Sequence, residues 1–125
     1  MPNITDQLMP YLQQIALEKQ RLTERIEAQE HDGRQDEANL DKVRLNIVQV
    51  FETLAAADAA QCQGSAPAFA ERYQQRFDTL PAPWKQRLAR AIAHRDIQTQ
   101  AVEEAKLETV TRLQAAFLKA KGELK

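Results

Sequence analysis

Four charged side chains stand where helical spacing calls for apolar ones: Glu18, Arg44, Glu103 and Lys106. Glu18, followed by Lys19, interrupts an amphipathic segment between Ile15 and Leu22. Arg44 falls inside the apolar arc of a second segment, and Glu103 and Lys106 lie on the seam of the last one. If these segments are helices packed antiparallel with matched midpoints, Glu18, Arg44 and Lys106 come within about one turn of a common level. A Glu-Arg-Lys cluster inside a bundle is costly to desolvate, and it would set helix register or hold an acidic ligand. The alternative is structural. Arg44 and Lys106 can lay their alkyl stems on the core and extend their charges into water.

A second constellation is basic. Across 84–95, Trp84 is accompanied by Lys85, Arg87, Arg90, His94 and Arg95. On a helix, Arg87, Arg90 and His94 share one face, while Trp84, Leu88 and Ala91 share the other. An Arg-lined face suits nucleic-acid phosphates or an acidic partner. It also serves as an ordinary solvated face, and the sequence carries no helix-turn-helix signature. Trp84 is expected to anchor the core at the start of its helix rather than to stack on bases.

Other chemistries lack their residues. Di-iron bundles use inward Glu-x-x-His pairs, but neither His31 nor His94 has a Glu three residues before it. Glu24, Glu27 and Glu30 reproduce one half of the magnesium-holding pattern of helical nucleotide pyrophosphohydrolases, Glu-x-x-Glu. The other half, Glu-x-x-Asp, occurs nowhere in the chain. Cys62 follows a long helical segment, where the negative end of the helix dipole disfavours a thiolate, so it is expected to be a packing residue. Gly33, Gly64 and Gly122 are isolated and form no phosphate-cradling loop. No metal and no cofactor are expected.

The elements that must position these residues are all helical. The first runs from Asn3 or Met9 to Glu30, with Ile4, Leu8, Tyr11, Leu12, Ile15, Leu22 and Ile26 on one face. Pro10 either kinks the longer version, which is the preferred expectation, or sits in the first turn of the shorter one. Gly33 closes it. Asp36 is expected to cap the second helix, which continues to Gln61 with Leu40, Val43, Ile47, Val50, Phe51 and Leu54 on its apolar arc. Asp41, Lys42, Asn46, Gln49, Glu52 and Thr53 fill its polar side. Ser65 caps a segment over 66–79 that presents Phe69, Tyr73 and Phe77. Pro81-Ala82-Pro83 breaks the chain before a segment over 83–94. Asp96 caps the last helix, 97–121, whose seam is Val102, Val110, Leu113, Phe117 and Ala120, with Leu124 beyond it.

The fold class that follows is all-α. It is a single-domain up-down bundle over 1–125, with three long helices and a third element broken in two at Pro81-Ala82-Pro83. A bundle of three long helices capped by the two short ones is the competing arrangement. The net charge of −1 hides an asymmetry: residues 1–62 carry eleven acids against six bases, and 63–125 carry seven against eleven. Complementary halves of one bundle account for this most simply. A lone cysteine and the absence of a basic-then-apolar leader in Met-Pro-Asn-Ile-Thr-Asp point to the cytoplasm.

The expected function is that of a small soluble non-catalytic helical protein acting through protein–protein contacts, with homodimerisation as one form. Leu17 and Leu45, off their main stripes, are candidates for a second apolar surface. The alternative is nucleic-acid association through the basic 84–95 helix. A small-ligand or enzyme bundle using the charged layer comes third. No membrane partner is expected.

Overall fold

The computed structural model describes residues 8–122. Five helices follow one another: α1 Met9–His31, α2 Gln35–Gln61, α3 Ala66–Thr79, α4 Ala82–Ala93 and α5 Ile97–Lys121. The bundle is all-α, with no strand among the described residues. Among the described residues no helix is long and apolar enough to cross a membrane.

Contacts between side chains give the directions. Lys19 meets Glu52 and Arg25 meets Asp41, so α1 and α2 are antiparallel. Tyr73 of α3 meets Phe51 and Arg72 meets Asp58, so α3 turns back along α2. Arg87 of α4 meets Glu103, while α3 packs Phe69, Tyr73 and Phe77 on Phe117 further along α5. The short helices therefore run in succession along α5, α3 against its end and α4 against its beginning. This is the up-down bundle with a broken third element. Past the break, α4 rests almost wholly on α5.

Local chemistry explains the ends. α1 starts at Met9 with Pro10 in its first turn, where a missing N–H costs nothing. The expected extension back to Asn3, and Ile4 with it, lies outside the described residues, as does Leu124. Gly33 takes a φ of +74°, a left-handed conformation that suits glycine. Asp36 does not cap α2. Arg34 occupies that position without a side-chain hydrogen bond, and Asp36 and Glu37 fall in the first turn, where their charges still favour the helix dipole. Ser65 and Asp96 cap as expected, accepting from the amides of Ala68 at 3.4 Å and Thr99 at 3.1 Å.

The core has a large aromatic component. Tyr11, Phe51, Phe69, Tyr73 and Phe117 are all buried to within about a hundredth of their surface, and Phe77 stacks on Phe51 with ring centroids 4.8 Å apart. Two hydroxyls are trapped inside. Tyr73 Oη donates to the carbonyl of Phe51 at 2.9 Å, which uses its only proton. Tyr11 Oη lies 2.6 Å from Tyr73 Oη and must therefore be the donor in that bond. Burial pushes both phenols above their ordinary range, and proximity to Tyr11 adds to it for Tyr73.

Tyr11→Phe, which deletes a terminal donor, should cost about 1 kcal/mol in urea unfolding. Tyr73→Phe strands both the Tyr11 hydroxyl and a second lone pair on Phe51, and should cost about 1–3 kcal/mol. Because both folded phenols titrate above the unfolded value of 10.0, their contribution is complete below that pH and fades as pH rises beyond it. Tyrosinate absorbance should accordingly appear together with loss of helicity, and an earlier rise in absorbance would contradict the buried pair.

Candidate functional site

The inward face of α2 differs from its expected arc. Ala38, Ile47, Val48, Phe51 and Ala55 are buried, whereas Leu40, Val43, Val50 and Leu54 are half-buried. The stripe is rotated because Asp41, expected on the polar side, is fully buried, as is Asp58. Each of these carboxylates is held by cations. Asp41 meets Arg44 at 2.8 Å on its own helix and Arg25 of α1 at 3.2 Å. Asp58 meets Arg72 and Arg76 of α3, both at 2.9 Å.

The expected charged layer belongs to the same pattern, and it divides. Glu18 pairs with Arg21 on its own helix and with Arg112 of α5. Glu103, with a side chain only 4% exposed, pairs with Lys106 at 3.2 Å and lies 3.8 Å from Arg87 of α4. Arg44 reaches Glu108 of α5 at 3.8 Å in addition to Asp41. Glu18 and Arg44 line one crevice with Arg21, Thr109 and Arg112, but Lys106 does not join them. It stands over the Trp84 ring instead, 5.5 Å from the centroid. The three residues expected to converge thus serve separate ion-pair groups.

One rule covers all four groups. A carboxylate removed from water is matched by two cations, and at least one comes from another helix. In three of the groups the other cation is three residues along the same helix: Arg21, Arg44 and Lys106. Acid-x-x-base spacing was therefore visible in the sequence, although it does not say which acids face inward. The groups also account for the charge asymmetry, since Asp58 and Glu18 of the acidic half draw on Arg72, Arg76 and Arg112 of the basic half.

The chemical capacity of this interior is small. The crevice between Glu18 and Arg44 has a volume of about 10 Å³, close to that of one water. No group of His, Cys, Asp and Glu suited to a metal occurs among the described residues. His31 ends α1, His94 follows α4, and Cys62 is half-buried against the core at the end of α2. Asp58 shows the electrostatics at work. Burial drives its carboxyl upward, but the hydrogen bonds and charges of Arg76 and Arg72 outweigh that and hold it below the ordinary range.

The basic constellation lies at the surface. Lys85, Arg87, Arg90, His94 and Arg95 are exposed, and Trp84 is half-buried against the core, the anchor expected of it. Of these cations Arg87 approaches Glu103. Of the two leucines considered for a second apolar surface, Leu45 packs on the core and Leu17 is 59% exposed. Comparison of the chain with protein-family models, with curated proteins and with solved structures returns no match.

Asp58 gives an asymmetric prediction. Asp58→Asn frees two arginines that can turn to water, and should cost about 1–3 kcal/mol. Replacing Arg72 and Arg76 together by Met leaves a buried carboxylate alone and should cost about 3–5 kcal/mol. Since the folded carboxyl titrates below its unfolded value of 3.8, its stabilisation is present above that pH and is lost as pH falls through the folded value. Equal costs for the two changes, measured by chemical denaturation at neutral pH, would contradict the assignment.

Proposed function

We propose that this protein is a non-catalytic helical module acting through protein–protein contacts, self-association among them. The reading rests on where uncommitted side chains lie. Interior carboxylates are matched in ion-pair groups, and the crevice that Glu18 and Arg44 line has room for about one water. Outside, a groove of about 450 Å³ opens between the start of α1 and the end of α2, lined by Leu8, Leu12, Ala55, Ala56, Ala59 and Ala60, with Glu52 at its edge. Alanines on its floor let another helix approach closely, which favours a helical occupant over a polar small molecule.

A second reading has its own support. Lys85, Arg90 and Arg95 make no ion pair among the described residues, which suits a polyanion or an acidic partner. Three free cations supply only a modest, salt-sensitive attraction.

Sedimentation equilibrium at about 1–200 µM, a range that brackets micromolar association, separates these readings. The interaction module predicts a mass that rises above the 14.2 kDa chain and depends little on salt. A mass of one chain throughout, with salt-sensitive retention on DNA that Arg90→Glu abolishes, would reverse the order of the two.

A further inference from the structure

The outward face of α2 is uncharged over a long distance. From Asn46 to Ala60 it presents Asn46, Gln49, Thr53, Ala56, Ala57 and Ala60 to solvent, with half-buried Val50 and Leu54 along one flank. That is about 21 Å of helix. The two charges of this stretch are committed elsewhere: Asp58 faces inward onto Arg72 and Arg76, and Glu52 pairs with Lys19 at 2.8 Å. Exposed charges do occur on the other long helices, at Glu24, Arg25 and Glu27 in the second half of α1 and at Glu104, Glu108 and Arg112 on α5. A groove of about 320 Å³ lined by Asn46, Gln49, Val50, Thr53 and Leu54 runs along the stripe, and the alanine-floored groove of about 450 Å³ lies beyond it toward α1.

We infer that this stripe is the contact surface for a second copy of the chain, the two α2 helices packing antiparallel about a two-fold axis near Thr53. The inference rests on the interaction-module reading and deepens it by naming the partner and the geometry. Three observations select it. An uncharged stripe meets itself without the like-charge repulsion that α5, or α1 beyond Gln20, would suffer in the same contact. Its spacing of three and four residues keeps one seam in line when helices cross at a shallow angle. Its volumes are also sorted. Asn46, Gln49 and Val50 lie before Thr53, and Ala56, Ala57 and Ala60 lie after it.

An axis at Thr53 sets Asn46 against Ala60 of the second copy, Gln49 against Ala57, and Val50 against Ala56. Large meets small at these three levels, as close packing requires, and Thr53 meets its own copy at the axis. Parallel pairing would set alanine against alanine and glutamine against glutamine, leaving a gap at one end and crowding at the other. An axis moved one turn toward the start of α2 would draw Lys42 into the contact.

Disulfide trapping tests this in a Cys62→Ser background, with Asn46→Cys, Gln49→Cys, Thr53→Cys, Ala57→Cys and Ala60→Cys made singly. The helicity of each variant is checked first, and because these positions are exposed the fold should survive. The expected yield of linked dimer peaks at Thr53→Cys and falls toward both ends, because only a residue near the axis meets its own copy. Mixing Gln49→Cys with Ala57→Cys should link more chain than either alone. Independently, Ala57→Glu should weaken dimerisation by at least about tenfold, and adding Gln49→Lys should restore it. Even yields along the stripe would overturn the antiparallel axis. A dimer by mass that links nowhere on α2 and ignores Ala57→Glu would overturn the surface while leaving the interaction module standing. A monomer at every concentration would overturn the stripe as a self-contact, and joined to salt-sensitive retention on DNA it would overturn the interaction module as well.

Discussion

A carboxylate withdrawn from water has to be met by positive charge, and α2 carries one near each end of its inward face. Asp41 and Asp58 are fully buried, seventeen residues apart on one helix. Neither is tolerable there alone, since the desolvation of an isolated charge exceeds what the surrounding apolar contacts return. Arg25 must therefore come from α1, and Arg72 and Arg76 from α3. These partners bring α1 and α3 against the central helix in one register, because a slip of one residue would turn each guanidinium away from its acid.

Between those ends the bundle divides its labour. Toward the end of α2 the core is aromatic, and the trapped Tyr11 and Tyr73 hydroxyls join α1, α2 and α3 through the Phe51 carbonyl. Toward its beginning the interior is more ionic, with Asp41, Arg44, Glu18 and Arg112 in place of rings. The Pro81-Ala82-Pro83 break falls where this change occurs. α3 contributes aromatic rings to the one end, and α4 closes over Glu103 and Lys106 beside the other. A continuous third helix would have had to serve both environments with one face.

The fold was legible because helical periodicity, capping residues and proline breaks are local signals. Segment boundaries at Ser65, Pro81 and Asp96 follow from the short-range chemistry of single residues. The candidate site was legible in part. Glu103 stood out as a charge on an apolar seam, and it is buried. A helical projection puts Asp41 on the polar side because it treats every acid as solvent-seeking. What reverses that assignment is Arg25, supplied by another helix. The separation of Lys106 from Glu18 and Arg44 was equally out of reach, since it depends on α4 bringing Trp84 beneath the ammonium group.

By itself, the sequence determined five helices, their order, the proline break between α3 and α4 and the acid-x-x-base pairs that recur along them. These all depend on residues within one or two turns of each other, whose energetics do not need the rest of the chain. Tertiary structure alone decided that Asp41 goes inside, which cations reach the buried acids, and which face of α2 is left uncharged toward solvent. Those outcomes turn on desolvation and long-range pairing. A side chain can be removed from water only when a distant helix is placed to replace it, and that placement exists only in the assembled bundle.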